Sequence, residues 1–77
     1  MRRLTIDAHP MGVAGVWRIR SGNAVVATLV QPNVAVELRK LPTDTEVRDA
    51  VREVSPAYGV TDQTPVLWAG GTITGGW

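Results

Sequence analysis

Residues 42–54, "PTDTEVRDAVREV", form the stretch whose pattern leaves least choice, and the rest of the chain has to be arranged around it. Thr43-Asp44-Thr45-Glu46 fits a capping box: a threonine oxygen accepts from the first-turn amides while Glu46 reaches back. Asp44 and Glu46 also suit the positive end of the helix dipole. Thr45 is the alternative cap. Val47, Ala50, Val51 and Val54 then fall at i, i+3, i+4 and i+7, which is one apolar stripe. Asp44 can pair with Arg48 and Asp49 with Arg52, one turn apart. Ser55-Pro56 ends the helix, because the residue before proline disfavours the α region. A single striped helix needs a cover, and what surrounds it in this 77-residue chain reads as short strands. The class expected is α+β: a mixed sheet of four to five strands with one covering helix, in a single domain spanning 1–77.

The strands are read from alternation. "RRLTID" at 2–7 alternates polar and apolar and is followed by a break at His9-Pro10-Met11-Gly12. "VWRIR" at 16–20 sets Trp17 and Ile19 against Arg18 and Arg20, the pattern of a half-buried strand. After a turn at Ser21-Gly22-Asn23, "AVVATLV" at 24–30 is apolar on both faces, which predicts a central strand. Gln31-Pro32-Asn33 reads as the next turn, with "VAVELRKL" at 34–41 returning as a strand that places Val34, Val36 and Leu38 on one face. Connections of about three residues make 16–20, 24–30 and 34–40 a meander of antiparallel neighbours. "VLWA" is a further short strand, and "TIT" at 72–74 is a candidate last one.

So short a chain buries only about 60–65% of the surface it exposes when unfolded. With no cysteine, neither disulfides nor a thiolate metal site can supplement that core, so oligomerisation or docking on a partner is the expected source of added stability. No apolar run approaches the ~18 residues of a membrane span, and the start of the chain lacks the apolar segment of a signal peptide. No membrane association and a cytoplasmic location are expected.

Net charge is +1, unevenly placed. Residues 1–40 carry +4 (Arg2, Arg3, Arg18, Arg20, Arg39 and Lys40 against Asp7 and Glu37). Residues 41–77 carry −3 (Arg48 and Arg52 against Asp44, Glu46, Asp49, Glu53 and Asp62). Such a division either steers a head-to-tail contact between copies or is neutralised inside one globule. The second outcome is expected, since a compact domain brings the halves together.

The span 24–71 resembles the ubiquitin-like, or β-grasp, proteins. In that family a two-stranded hairpin precedes a Pro-(Ser/Thr)-Asp-Thr helix start, an amphipathic helix, a Gly-Ile/Val loop and a short strand of the type Leu-Ile-Phe-Ala-Gly. Here the corresponding pieces are "AVVATLVQPNVAVELRKL", "PTDT" at 42–45, the helix at 46–54, "GVTDQ" at 59–63 and "VLWAG" at 66–70. The resemblance implies a β-grasp-like sheet with residues 24–71 as its core and 1–23 as an N-terminal strand extension. Family members continue past the Ala-Gly to a final strand lying centrally beside the first. Only seven residues follow here. One of the strands 2–7 and 16–20 is therefore expected to fill that position, within the chain or donated to a neighbouring copy. A plain β-meander with one covering helix is the alternative architecture.

Four residues stand out as interaction candidates. Leu67 occupies the place of an apolar residue in the family's partner-binding patch, and its alternation with Val66 and Trp68 points it outward; a core role is the other reading. Trp77 is a candidate anchor, because tryptophan is enriched at contact hot spots, whereas one or two of Trp17, Trp68 and Trp77 should fill the core. Arg18 and Arg20 share a strand face that Arg2, Arg3, Arg39 and Lys40 could extend. A total charge of +1 with acidic helix residues argues against nucleic acid as the partner. Gly75-Gly76 resembles the diglycine tail of conjugating family members, but Trp77 follows it, and a turn is the expected role.

Catalytic chemistry is poorly supplied. His9 is the only histidine, in "DAHPMG", and is read as a loop residue; Asp7 beside it forms a faint acid-base pair with no nucleophile. No catalytic residue, cofactor or metal is expected. The function expected is a non-catalytic protein-protein interaction module, whose partner is another protein or copies of itself. The alternative is a small structural subunit of a larger assembly such as a phage virion.

Overall fold

The computed structural model describes residues 3–9 and 12–68. In chain order these form β1 (Leu4–Ala8), β2 (Val16–Ser21), β3 (Ala24–Val30), α1 (Asn33–Glu37), α2 (Asp44–Val54), a single 3-10 turn (Pro56–Tyr58) and β4 (Val66–Trp68). The strands make one mixed sheet in the order β3-β2-β1-β4. β1 and β3 both run antiparallel to β2, and β4 lies parallel to β1. The fold is α+β, with a four-stranded mixed sheet and one main helix.

Helix α2 forms where its local signals say it should. Thr43 is the N-cap: its Oγ1 accepts from the Glu46 amide at 3.2 Å and its own amide donates to Glu46 Oε1 at 3.3 Å, completing the box. Val47 and Val51 are fully buried against the sheet, with Ala50 packed beside them. Val54 departs from the expected stripe and is exposed, because the helix ends there: the Ser55 amide caps back onto the Val51 carbonyl and its Oγ donates to the Val26 carbonyl at 2.9 Å. The expected pairs Arg48–Asp44 (3.8 Å) and Arg52–Asp49 both form.

The core lies between α2 and one face of the sheet, built from Leu4, Ile6, Trp17, Ile19, Val26, Ala27, Val47, Val51 and Val60. Trp17 is fully buried and meets Trp68 edge-to-face, ring centroids 5.5 Å apart. Trp17 thus fills the interior and Trp68 packs against it partly buried, within the expectation of one or two core tryptophans.

Two sequence expectations are corrected. Residues 34–41 are not a strand: Asn33–Glu37 is helical, opened by Pro32, whose carbonyl accepts from Ala35 and Val36. The cause is non-local. The buried Trp17 indole donates to Gln31 Oε1 at 2.8 Å, and Gln31 Nε2 donates to the Lys40 carbonyl at 2.8 Å, so residues 31 and 40 are tied together as the two ends of a closed loop. The helical turn at 33–37 fits inside that closure. Val36 then packs against Gly15, whose φ of 80° and close approach leave no room for a Cβ. As a result β3 is an edge strand and not a central one, and its valines 25 and 30 are exposed. The meander is β1-β2-β3, and the pieces of the 24–71 core shift accordingly: the hairpin before the helix is 16–30.

The expectation that an N-terminal strand lies beside "VLWA" is met. β1 pairs with β4 through Leu4↔Val66, Thr5↔Leu67 and Ile6↔Trp68. Pairing begins where the Leu4 amide donates to the Pro65 carbonyl at 2.8 Å. The loop that delivers β4 is held to α2 by Arg48 Nε on the Thr64 carbonyl (2.8 Å) and Arg52 Nη1 on Asp62 Oδ1 (3.0 Å).

Candidate interaction surface

Strand alternation divides the side chains between two faces. Leu4, Ile6, Trp17, Ile19, Val66 and Trp68 turn toward α2, leaving Thr5, Asp7, Arg18, Arg20, Thr28 and Leu67 on the opposite face. Among the described residues, no helix covers that second face. The register aligns Leu67, Thr5, Arg20 and Val25 in one row across all four strands, with Asp7, Arg18 and Thr28 in the next.

Asp7 is the centre of this face. Its partner across the β1–β2 ladder is Arg18, which grips the carboxylate with two parallel bonds, Nε to Oδ1 at 3.0 Å and Nη2 to Oδ2 at 2.9 Å. Arg20, one pair further along, adds Nη2 to Oδ2 at 3.3 Å and reaches the Gly22 carbonyl with Nη1. Held by the two guanidiniums, Asp7 is only 5% exposed. The Arg18 hydrogen bonds hold the Asp7 carboxyl below the usual carboxylate range; its burial pulls the other way, and the charges of Arg18 and Arg20 add to the lowering. The same bonds push the Arg18 guanidinium up.

Both arginines are thereby held against Asp7 while keeping part of their surface in solvent. Ordering them on contact costs little, since the ordering is already done. Leu67 stands beside them at 42% exposure, facing outward while Val66 and Trp68 pack on the core. On the far side, Val25 and Val30 are exposed along β3. The face therefore combines apolar margins with a central, rigid, basic bar.

Of the expected site residues, Leu67, Arg18 and Arg20 come together on this one face. Trp77 lies outside the described residues, as do Gly75-Gly76, the 72–74 segment and Arg2. Asp7 escaped notice at the sequence level as anything but a faint companion of His9. The available signal was an aspartate two residues from the end of one strand, facing two arginines two residues apart on the next. His9 itself follows β1, its amide donating to the Val16 carbonyl at 3.1 Å. Among the described residues, no group of three or more histidine or carboxylate side chains is placed to hold a metal ion.

A second exposed apolar cluster lies on and after α1, where Val34, Leu38 and Leu41 are all well exposed. It projects from the β3 end of the molecule and shares no residue with the sheet face.

No family model, curated protein or solved structure matches the chain.

Proposed function

We propose that this protein is a non-catalytic protein-protein interaction module that meets its partner through the face of the sheet opposite α2. The carrying observation is that uncovered face: Leu67 exposed at its edge and Arg18 and Arg20 locked in place by a buried Asp7. Asp7 is engaged by two guanidiniums, whose hydrogen bonds and charges lower its carboxyl below the usual carboxylate range and so disfavour a role as a general base. A ubiquitin-like relationship remains part of the proposal. It draws support from a hairpin, a Thr-capped helix and a short strand in that order, with β1 between hairpin and β4.

Among the described residues no helix is long and apolar enough to cross a membrane, and the proposed partner is a protein, not nucleic acid or lipid. The proposed location is cytoplasmic. A second reading, a structural subunit of a repetitive assembly such as a phage virion, is favoured by the distribution of ion pairs described next; the location would then be the particle.

The test compares immobilised wild type, Leu67→Asp and, as a control on the other exposed cluster, Leu38→Asp. Partner retention by wild type and Leu38→Asp, lost in Leu67→Asp with an unchanged circular dichroism spectrum, supports the sheet face. Equal retention by all three proteins rules it out.

A further inference from the structure

The charge division seen in the sequence survives folding. All five ion pairs among the described residues stay within their own half: Arg18–Asp7 and Arg20–Asp7 in the first, Arg48–Asp44, Arg52–Asp49 and Arg52–Asp62 in the second. Among the described residues no ion pair joins one half to the other. The topology explains why. β1 and β2 turn their charges to one side of the sheet, while α2 lies on the other and turns its charges away from it. The two sets are back to back, with the apolar core between them.

The sheet face carries Arg18 and Arg20 against Asp7, and the exposed Arg3, two residues before Thr5 on the same alternation, adds to it. The helix side carries Asp44, Glu46, Asp49, Glu53 and Asp62, all exposed, against Arg48 and Arg52. Basic side and acidic side point in opposite directions.

Resting on the sheet-face reading above, we infer that the partner is a second copy of this chain, bound head-to-tail: the arginine face of one copy seats on the acidic outer side of α2 in the next. Symmetric pairing is disfavoured through either surface, because it would set arginines against arginines or carboxylates against carboxylates. Head-to-tail pairing sets each against its opposite, with Leu67 covered at the margin. Such a contact is heterologous and leaves one free face of each kind at the ends, so it propagates into a ring or a filament. That is the behaviour of a repetitive assembly's subunit. It also supplies the burial that a domain of this size lacks.

The experiment uses two full-length variants, each blocked on one side. Leu67→Asp places a carboxylate on the sheet face. Glu53→Arg with Asp49→Arg reverses the helix side. Sedimentation velocity at low salt should show wild type growing with concentration beyond a dimer, each variant alone as a monomer, and an equimolar mixture of the two variants as a dimer. In that mixture the intact helix side of one protein meets the intact sheet face of the other, so recovery of the dimer also proves both variants folded. Raising salt to about 1 M, where screening reaches within about 3 Å, should disperse wild type. A wild type that stays monomeric at millimolar concentration overturns the self-association inference while leaving the sheet face open to a different partner. A wild type that assembles equally well as Leu67→Asp overturns the sheet face itself. A wild-type dimer that neither grows with concentration nor re-forms from the mixed variants shows a symmetric contact and overturns the head-to-tail geometry.

Discussion

At the scale of single residues, two buried polar side chains decide how the chain packs. Asp7 is ionised between two arginines, with its folded pKa depressed. Stability from that group is complete above the unfolded aspartate pKa, about 3.9. It is lost as pH falls from there through the lower folded value. Urea midpoints measured from pH 6 down to pH 2 should therefore fall in wild type, and Asp7→Asn should be less stable at pH 6 with a flatter profile below pH 4. A parallel descent in both proteins would show that Asp7 is not the group responsible. Gln31 is the other case. It is 6% exposed, accepts from the Trp17 indole and donates to the Lys40 carbonyl. Gln31→Leu removes both the Trp17 indole bond and the tie to the Lys40 carbonyl, at an expected cost of about 1–3 kcal/mol. Equilibrium urea denaturation followed by tryptophan fluorescence reads it directly, and a change under ~0.5 kcal/mol would mean that neither bond matters.

At the scale of elements, α2 and the residues 33–41 make opposite cases. α2 carries its own instructions: a cap, a stripe of valines one turn apart, and a serine-proline stop. Thr43→Ala removes the capping oxygen and should cost about 1 kcal/mol, lowering Tm by roughly 4–8 °C in a domain of this size. Thr45→Ala, one residue inside the helix, should cost far less; equal losses would return the cap to dispute. Residues 34–41 alternate as a strand does, yet Val34 and Leu38 also sit at i and i+4, and a stretch so short fits both periods. Nothing local separates the two. Two non-local features accompany the helical form: Gln31 ties the ends of the segment together, and Gly15 lets Val36 dock where a side chain would block it.

At the scale of the whole molecule, the sheet separates charge. With the apolar core in the middle, Arg18 and Arg20 outnumber Asp7 on one broad side, carboxylates outnumber Arg48 and Arg52 on the other, and no ion pair among the described residues crosses between them. Binding that favours the folded state adds stability by mass action. Tm should therefore rise with protein concentration in wild type at low salt, by several degrees over a hundredfold range, and should be independent of concentration in Leu67→Asp. Differential scanning calorimetry at two concentrations makes the comparison, and a flat wild-type response would count against self-association as a source of stability.

Local chemistry was enough to determine the α+β class, a helix ending at Val54 and the existence of strands near 2–7, 16–20, 24–30 and 66–69, because alternation, capping and helical spacing act between near neighbours. The choice of Thr43 over Thr45 as cap and the outward turn of Leu67, both open in the sequence, were decided by the structure. The expectation of an N-terminal strand beside β4 came from the resemblance, which left a sheet position empty, and the structure decided that β1 fills it within the chain. Tertiary structure alone decided that 33–37 is helical, that β3 lies at an edge, that Val54 is exposed and that Asp7 is buried between two arginines. Each of these involves groups nine or more residues apart or the ending of an element, such as the Gln31–Lys40 and Trp17–Gln31 bonds or the Asp7–Arg18 pair. Hydrogen bonds of that reach leave no periodicity in the chain, and they form only when the sheet has already set its register.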